Sequence, residues 1–293
     1  MMHRHRLARP WLWALRSVHA AVGDEGENAF RILIFHHIPR DAREAFAALV
    51  AELRRHHGVL APEDAEAWLE GRPVHPLGAS TARRRGRLPC LLSFDDGFGS
   101  NFDVANEVLA ANDIRALFFV CPGLVDLTAD EQPDSIARAI FQGRLEADEI
   151  GADLRLMSWS EIAELKARGH TIGAHGLGHR KLSRLAGEEL AREVVEAGDI
   201  LEARLGAPVA WFAYAFGTAA SVSRPAFEII AERYRYCRSG VRGRNTPATN
   251  PHALLADALD LDAPAEYRAL VIEGGLDLAY VRARARLAQM AAP

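Results

Sequence analysis

Short apolar runs rich in β-branched and aromatic residues alternate with helix-period segments along almost the whole chain, and this rhythm leaves few folds open. The strand candidates are RILIFHH (31–37), LPCLLSF (88–94), RALFFVC (115–121), HTIGAH (170–175), VAWFAYAF (209–216) and YRYCRSGV around 236, with a weaker ALDL near 258. Between them REAFAALVAELRRHHG, FDVANEVLAAN, SWSEIAELKARG, GEELAREVVEAGDILEARLG, SRPAFEIIAERY and APAEYRALVIEGG carry helical spacing. Ser158 and Ser160 stand where a side-chain oxygen caps a helix start, and Gly169 and Gly206 where a helix ends. Strands that alternate with helices call for crossover connections, so the expected class is α/β with a largely parallel sheet.

With 293 residues, 49% of them hydrophobic, the chain can bury one large core or two smaller ones. No repeat or linker divides it, so residues 24–293 read as a single domain behind a basic segment, 1–23. Two stretches break the rhythm. GRPVHPLGASTARRRGRLP (71–89) reads as an exposed loop. Residues 122–157, with the amphipathic patch SIARAIFQGRL, read as an insertion, a surface excursion by default and a groove wall as the alternative. A formal net charge of −4 gives no general pull toward nucleic acid. Cys90, Cys121 and Cys237 are widely spaced and odd in number, which suits buried free thiols in a reducing compartment better than a thiolate metal site.

The opening MMHRHRLARPWLWALRSVHAAVG carries Arg4, Arg6, Arg9 and Arg16 without an acid, but its apolar run is too short for a signal-peptide core. The expectation is a cytoplasmic protein. Leu7, Trp11, Leu15 and Val18 recur at helical spacing, so this segment is either a docked amphipathic helix or a peripheral contact with the inner face of an anionic membrane.

In LLSFDDGFGSN an apolar strand runs into two adjacent carboxylates, Asp95 and Asp96. They repel, so a positive partner is required. HTIGAHGLGHRKL supplies His175 and His179, and two imidazoles with one carboxylate suffice to hold a catalytic divalent metal with positions left open. Each motif is weak alone, since in a chain with 12 histidines an HxxxH pair arises by chance about half the time. Placement strengthens them, because both follow strands whose carboxyl ends gather on one face of a parallel α/β fold. Glycines at 173, 176 and 178 make the histidine segment a loop.

SFDDG, then GHTIGAHGLGHRKLS, then FAYAFG together resemble the motif series of the polysaccharide deacetylases of carbohydrate esterase family four, the NodB homology domain. ILIFHHI is similar to the opening motif of bacterial members, with Phe35 replacing a tyrosine and His36 keeping the histidine. The resemblance spans Ile32 to the 240s and implies a distorted, TIM-like (β/α) barrel of about seven repeats. It implies further that Asp95 is the general base and that Asp96, His175 and His179 bind a divalent metal, zinc by expectation with cobalt or nickel as alternatives. The chemistry is consistent: a metal acidifies water and polarises a carbonyl, while a carboxylate that does not bind it accepts the proton.

Two departures stand out. The family's third motif places an arginine two residues before Pro-Tyr-Gly, where this chain has Ala213, Ala215, Phe216 and Gly217. The cation that would orient Asp95 is therefore missing from its place, so another cation must replace it or Asp95 is less well held; the resemblance implies that the Phe216 backbone N–H still serves as oxyanion donor, since a backbone group survives a side-chain change. Phe212, Tyr214 and Phe216 are expected in the core. The family's final histidine, its general acid, has no match after Leu254; His252 looks like a turn residue, and His36 is the alternative polar group. His37, His56, His57 and His170 read as structural or solvent-facing. The implied activity is removal of acetyl groups from an N-acetylated glycan or glycan precursor. The rivals are hydrolysis of a non-sugar amide and a carbohydrate-binding homologue that has lost turnover.

Overall fold

The computed structural model describes residues 7–22, 28–78 and 87–292. Arg4, Arg6 and the basic run at 83–85 lie outside the described residues. The strands are β1 (Arg31–Phe35), β2 (Val59–Leu60), β3 (Cys90–Phe94), β4 (Leu117–Val120), β5 (Thr171–Ala174), β6 (Trp211–Ala213), β7 (Tyr236–Arg238) and β8 (Asp257–Ala258). The helices are α1 (Ala8–Val22), α2 (Arg43–His56), α3 (Pro62–Leu69), α4 (Gly99–Val104), α5 (Pro122–Val125), α6 (Gln132–Ala139), α7 (Trp159–Ala167), α8 (Gly187–Ala191), α9 (Ala197–Leu205), α10 (Arg224–Arg233), α11 (Ala265–Ile272) and α12 (Val281–Met290).

All paired strands are parallel, in the order β7-β6-β5-β4-β3-β1-β8, with β2 also on β3. One edge of β3 is shared, β2 pairing its start at Cys90 and Leu91 and β4 its end at Ser93 and Phe94. The last segment closes the sheet on itself. Leu254 exchanges backbone hydrogen bonds with β7, donating to Cys237 and accepting from Ser239, and three residues later β8 pairs with β1. The result is the expected distorted (β/α) barrel.

Strand alternation divides the core in two. Ile32, Ile34, Leu91, Leu117, Phe119, Trp211, Ala213 and Tyr236 fill the barrel interior with Leu254 and Ala256, while Leu33, Phe35, Leu92, Phe94, Phe118, Ile172 and Phe212 face the helices. The helices answer with apolar stripes; α2 buries Phe46, Leu49, Val50 and Leu53, one face at helical spacing. Ser158 caps α7 and accepts from the Glu161 N–H, while Gly206 ends α9 in the left-handed region (φ 62).

VAWFAYAF forms a strand only over Trp211–Ala213, since the chain then turns. The insertion at 122–157 is more than a surface excursion. It folds into α5, α6 and short 3₁₀ turns and builds its own small core from Phe98, Cys121, Leu124, Ile136, Ile140 and Leu156. The three cysteines are buried free thiols. At the N-terminus α1 docks through Ala8 and Leu12 onto Ala269 and Leu270 of α11, with Arg16 on Glu273 at 2.5 Å.

Candidate active site

Interior parity continued past the strand ends decides which side chains meet at the barrel mouth. Counting by twos along each strand gives Ile32, Ile34, His36; Leu91, Ser93, Asp95; Gly173, His175; and Tyr236, Arg238. His36, Asp95, His175 and Arg238 accordingly line one cavity of about 460 Å³. Asp96 has the opposite parity, but it takes a left-handed conformation (φ 69), followed by Gly97 (φ 76), and the turn swings its carboxylate back into the mouth. The start of this turn is pinned by the Asp95 N–H on Phe35 O (2.9 Å) and by Asn101 Nδ2 on Asp95 O (3.2 Å).

Asp96, His175 and His179 converge, with donor atoms within 4.8 Å of one another. Asp96 Oδ1 lies 3.4 Å from His175 Nε2 and 3.2 Å from His179 Nε2. Each ring contacts a backbone carbonyl through Nδ1, His175 on Ala213 O at 2.7 Å and His179 on Ala139 O at 2.8 Å. A carbonyl only accepts, so Nδ1 carries the proton and Nε2 faces Asp96. Between each Nε2 and the carboxylate a proton or a metal cation must stand, and a divalent metal satisfies all three donors at once. The donor set fits such an ion. Burial by itself raises Asp96, yet hydrogen bonding with His175 and His179 holds it well below the carboxylate range. Burial also pushes His179 toward the neutral form, and the facing Asp96 outweighs this and raises it.

The loop between the histidines is held from behind by Glu193, buried on the π-helical turn Arg192–Glu196 that joins α8 to α9. Its Oε1 accepts from the Gly178 N–H (3.1 Å) and the Arg180 N–H (2.9 Å), on either side of His179, and its carbonyl accepts from Leu177. Burial raises this carboxyl above its usual value despite those bonds.

Asp95 is not part of the three-donor cluster; its Oδ2 lies 3.9 Å from His175 Nε2. Its other oxygen takes a 2.5 Å ion pair from Arg238 Nη2, and both side chains are buried. Another cation thus replaces the one absent from position 213, and it comes from the end of β7. The Arg238 guanidinium also lies over the Phe119 ring, 4.9 Å from its centroid. Arg238 escaped the motif comparison because it sits 25 residues beyond the motif position, as 238 − 213 shows. Its signal was an arginine on the inward parity of YRYCR.

Other expectations change more modestly. Phe212 and Tyr214 are core residues, but Phe216 is half-buried on the cavity wall, left-handed (φ 66) and edge-on to His179 at 4.7 Å. His37 lines the cavity too, with Nδ1 3.0 Å from Ser100 Oγ and Nε2 3.6 Å from Asp153. His252 is structural, its Nε2 on Tyr234 O at 3.0 Å. His57 and His170 are buried away from the mouth, bonded to Leu88 O and to the Ala116 N–H.

The family model for polysaccharide deacetylases matches residues 83–229. Among solved structures the fold is similar to the deacetylase PplD of Streptococcus pyogenes in complex with acetate (TM-score 0.62, 17% identity, covering 83% of this chain and 98% of that one). It is similar also to IcaB of Ammonifex degensii (TM-score 0.61, 22% identity, 84% and 97%) and to the deacetylase domain of BpsB from Bordetella bronchiseptica (TM-score 0.58, 16% identity, 79% and 96%). A search of curated proteins finds no match. The chain belongs to the polysaccharide deacetylase family, hydrolases acting on carbon–nitrogen bonds other than peptide bonds.

Proposed function

We propose that this protein removes acetyl groups from an N-acetylated sugar of a polysaccharide or glycan precursor, using a divalent metal, zinc in the first instance, held by Asp96, His175 and His179. The observation that carries the reading is Asp95: a buried carboxylate outside the three-donor cluster, paired with Arg238 through one oxygen and facing the cavity with the other. A scaffold that merely holds a metal has no use for it, which favours an enzyme over a binding homologue.

A divalent cation in this site supplies Lewis acidity to an amide carbonyl and lowers the pKa of water. The protein's own groups do the rest. Asp95 Oδ2 accepts the proton of the attacking water, while the ion pair with Arg238 fixes the carboxylate in direction. The Phe216 N–H donates to the carbonyl oxygen as negative charge develops there. His36 contacts the sugar or its departing amine from the end of β1. That the Streptococcus relative holds acetate, the product such a reaction releases, supports the reading.

Asp95→Asn tests it. Amine release from N-acetylglucosamine oligomers should fall by about 10²–10⁴-fold, the usual contribution of a general base, while the purified variant still binds one divalent metal. Unchanged amine release removes Asp95 from the mechanism. Loss of the metal with the activity places Asp95 among the ligands instead.

A further inference from the structure

Beside the catalytic cavity lies a second, larger groove of about 900 Å³, and the two share His179 and Phe216 as a common wall. The groove is formed where the insertion meets the loop after His179. Arg138 of α6 comes from one side; Arg180, Lys181 and Arg184 come from the other. No acidic side chain lines it. Arg180 pairs with Glu189 at 3.2 Å, but among the described residues Arg138, Lys181 and Arg184 have no carboxylate partner. Arg144 adds a further cation on the wall of the catalytic cavity, its Nε on the Phe141 carbonyl at 2.9 Å. In a chain of net charge −4, an acid-free cluster of this kind is a local departure from the average surface.

We propose that this groove is an anion subsite, and that the sugar deacetylated next to it carries a phosphate or diphosphate. This rests on the deacetylase reading above and names the substrate class more narrowly. Guanidinium groups match phosphate oxygens in paired hydrogen bonds, and clustered like charges left without counter-ions in the free protein gain most when an anion arrives. A neutral sugar oligomer offers these side chains nothing comparable. The shared wall at His179 and Phe216 places the anion subsite directly beside the cavity that would hold the amide. A glycosyl phosphate has this layout whether it is soluble or lipid-linked.

The test compares N-acetylglucosamine 1-phosphate with the uncharged methyl glycoside of N-acetylglucosamine. The metal-loaded protein should favour the phosphorylated probe in kcat/KM by on the order of tenfold in 50 mM NaCl, with the preference shrinking toward one in 500 mM. Arg184→Glu should abolish the preference; Arg55→Glu, on the exposed side of α2 and lining neither cavity, should keep it. Equal use of the two probes, or a preference indifferent to salt and to Arg184→Glu, overturns the subsite. If neither probe is deacetylated, and N-acetylglucosamine oligomers are not either, the proposed function falls, and calorimetric binding of the phosphorylated probe to wild type and Arg184→Glu still decides the subsite alone. A third arm presents the same sugar on a prenyl phosphate in phosphatidylcholine vesicles. A faster reaction there marks the lipid-linked source and a slower one the soluble source, and both ranks uphold the groove.

Discussion

Arg238 and Glu193 each govern a neighbour's direction, and each makes a prediction at the scale of a single side chain. Removing one member of a buried ion pair strands the other charge, at a cost of about 3–5 kcal/mol. Arg238→Met should therefore lower both stability and turnover, and Arg238→Lys should recover part of each because a cation again faces Asp95. Urea titration and amine release read these separately; a fully active Arg238→Met would mean that Asp95 needs no orienting cation. The Glu193 carboxylate accepts hydrogen bonds from the backbone N–H groups on either side of His179. Glu193→Ala should weaken metal binding about 10–100-fold, the usual effect of losing support behind a ligand, and Glu193→Gln should rescue it through the amide oxygen. Equal metal affinity in all three proteins would reduce Glu193 to a packing residue. Asp95, Asp96, His175 and His179 were legible because each lies in a compact motif. Arg238 and Glu193 were not, because they reach the site from 143 residues after Asp95 and 15 residues after Gly178, distances that only folding measures.

Among the elements, the α/β alternation was legible because buried parallel strands need continuous apolar runs and their crossovers need amphipathic helices. The insertion was harder to read, since its apolar residues are too sparse to predict a core. Its contribution becomes visible only when Ile136 and Ile140 meet Phe98 and Leu156, and when the carbonyl of Ala139 at the end of α6 receives His179. Helix α1 resolves the choice posed by its sequence only in part. One face docks on α11, while Trp11 (60% exposed) and Trp13 (74%) remain in solvent beside Arg9. No helix among the described residues is long and apolar enough to cross a membrane. We propose contact with an anionic membrane surface through this helix. Tryptophan emission should shift to the blue when phosphatidylglycerol vesicles are added, and Trp11→Ala combined with Trp13→Ala should abolish vesicle pelleting. Pelleting that persists without both tryptophans would move the contact elsewhere.

At the level of the whole molecule, His57 and His170 tie the fold to pH. Burial lowers both from the ordinary 6.5 to about 4. Unfolded chains thus bind more protons than the native state between those values, and stability rises with pH across this window and is lost as pH falls from 6.5 toward 4. Each histidine contributes on the order of 3 kcal/mol to that loss. His170 accepts the Ala116 N–H through Nδ1, so His170→Asn keeps an acceptor while removing the titration. Urea midpoints measured from pH 7 to 4 should fall less steeply for this variant than for wild type, and parallel curves would exclude His170 as a source of the slope.

The segment that closes the barrel also sets an order of events in time. Asp95 leaves the ribosome long before Arg238, and β7 is finally secured by residues near 254 that come later still. A growing chain can thus display its aspartates and histidines while Asp95 has no partner to fix its direction. On the proposed mechanism, catalytic competence is then a late step of synthesis, one that waits for the closing segment to dock.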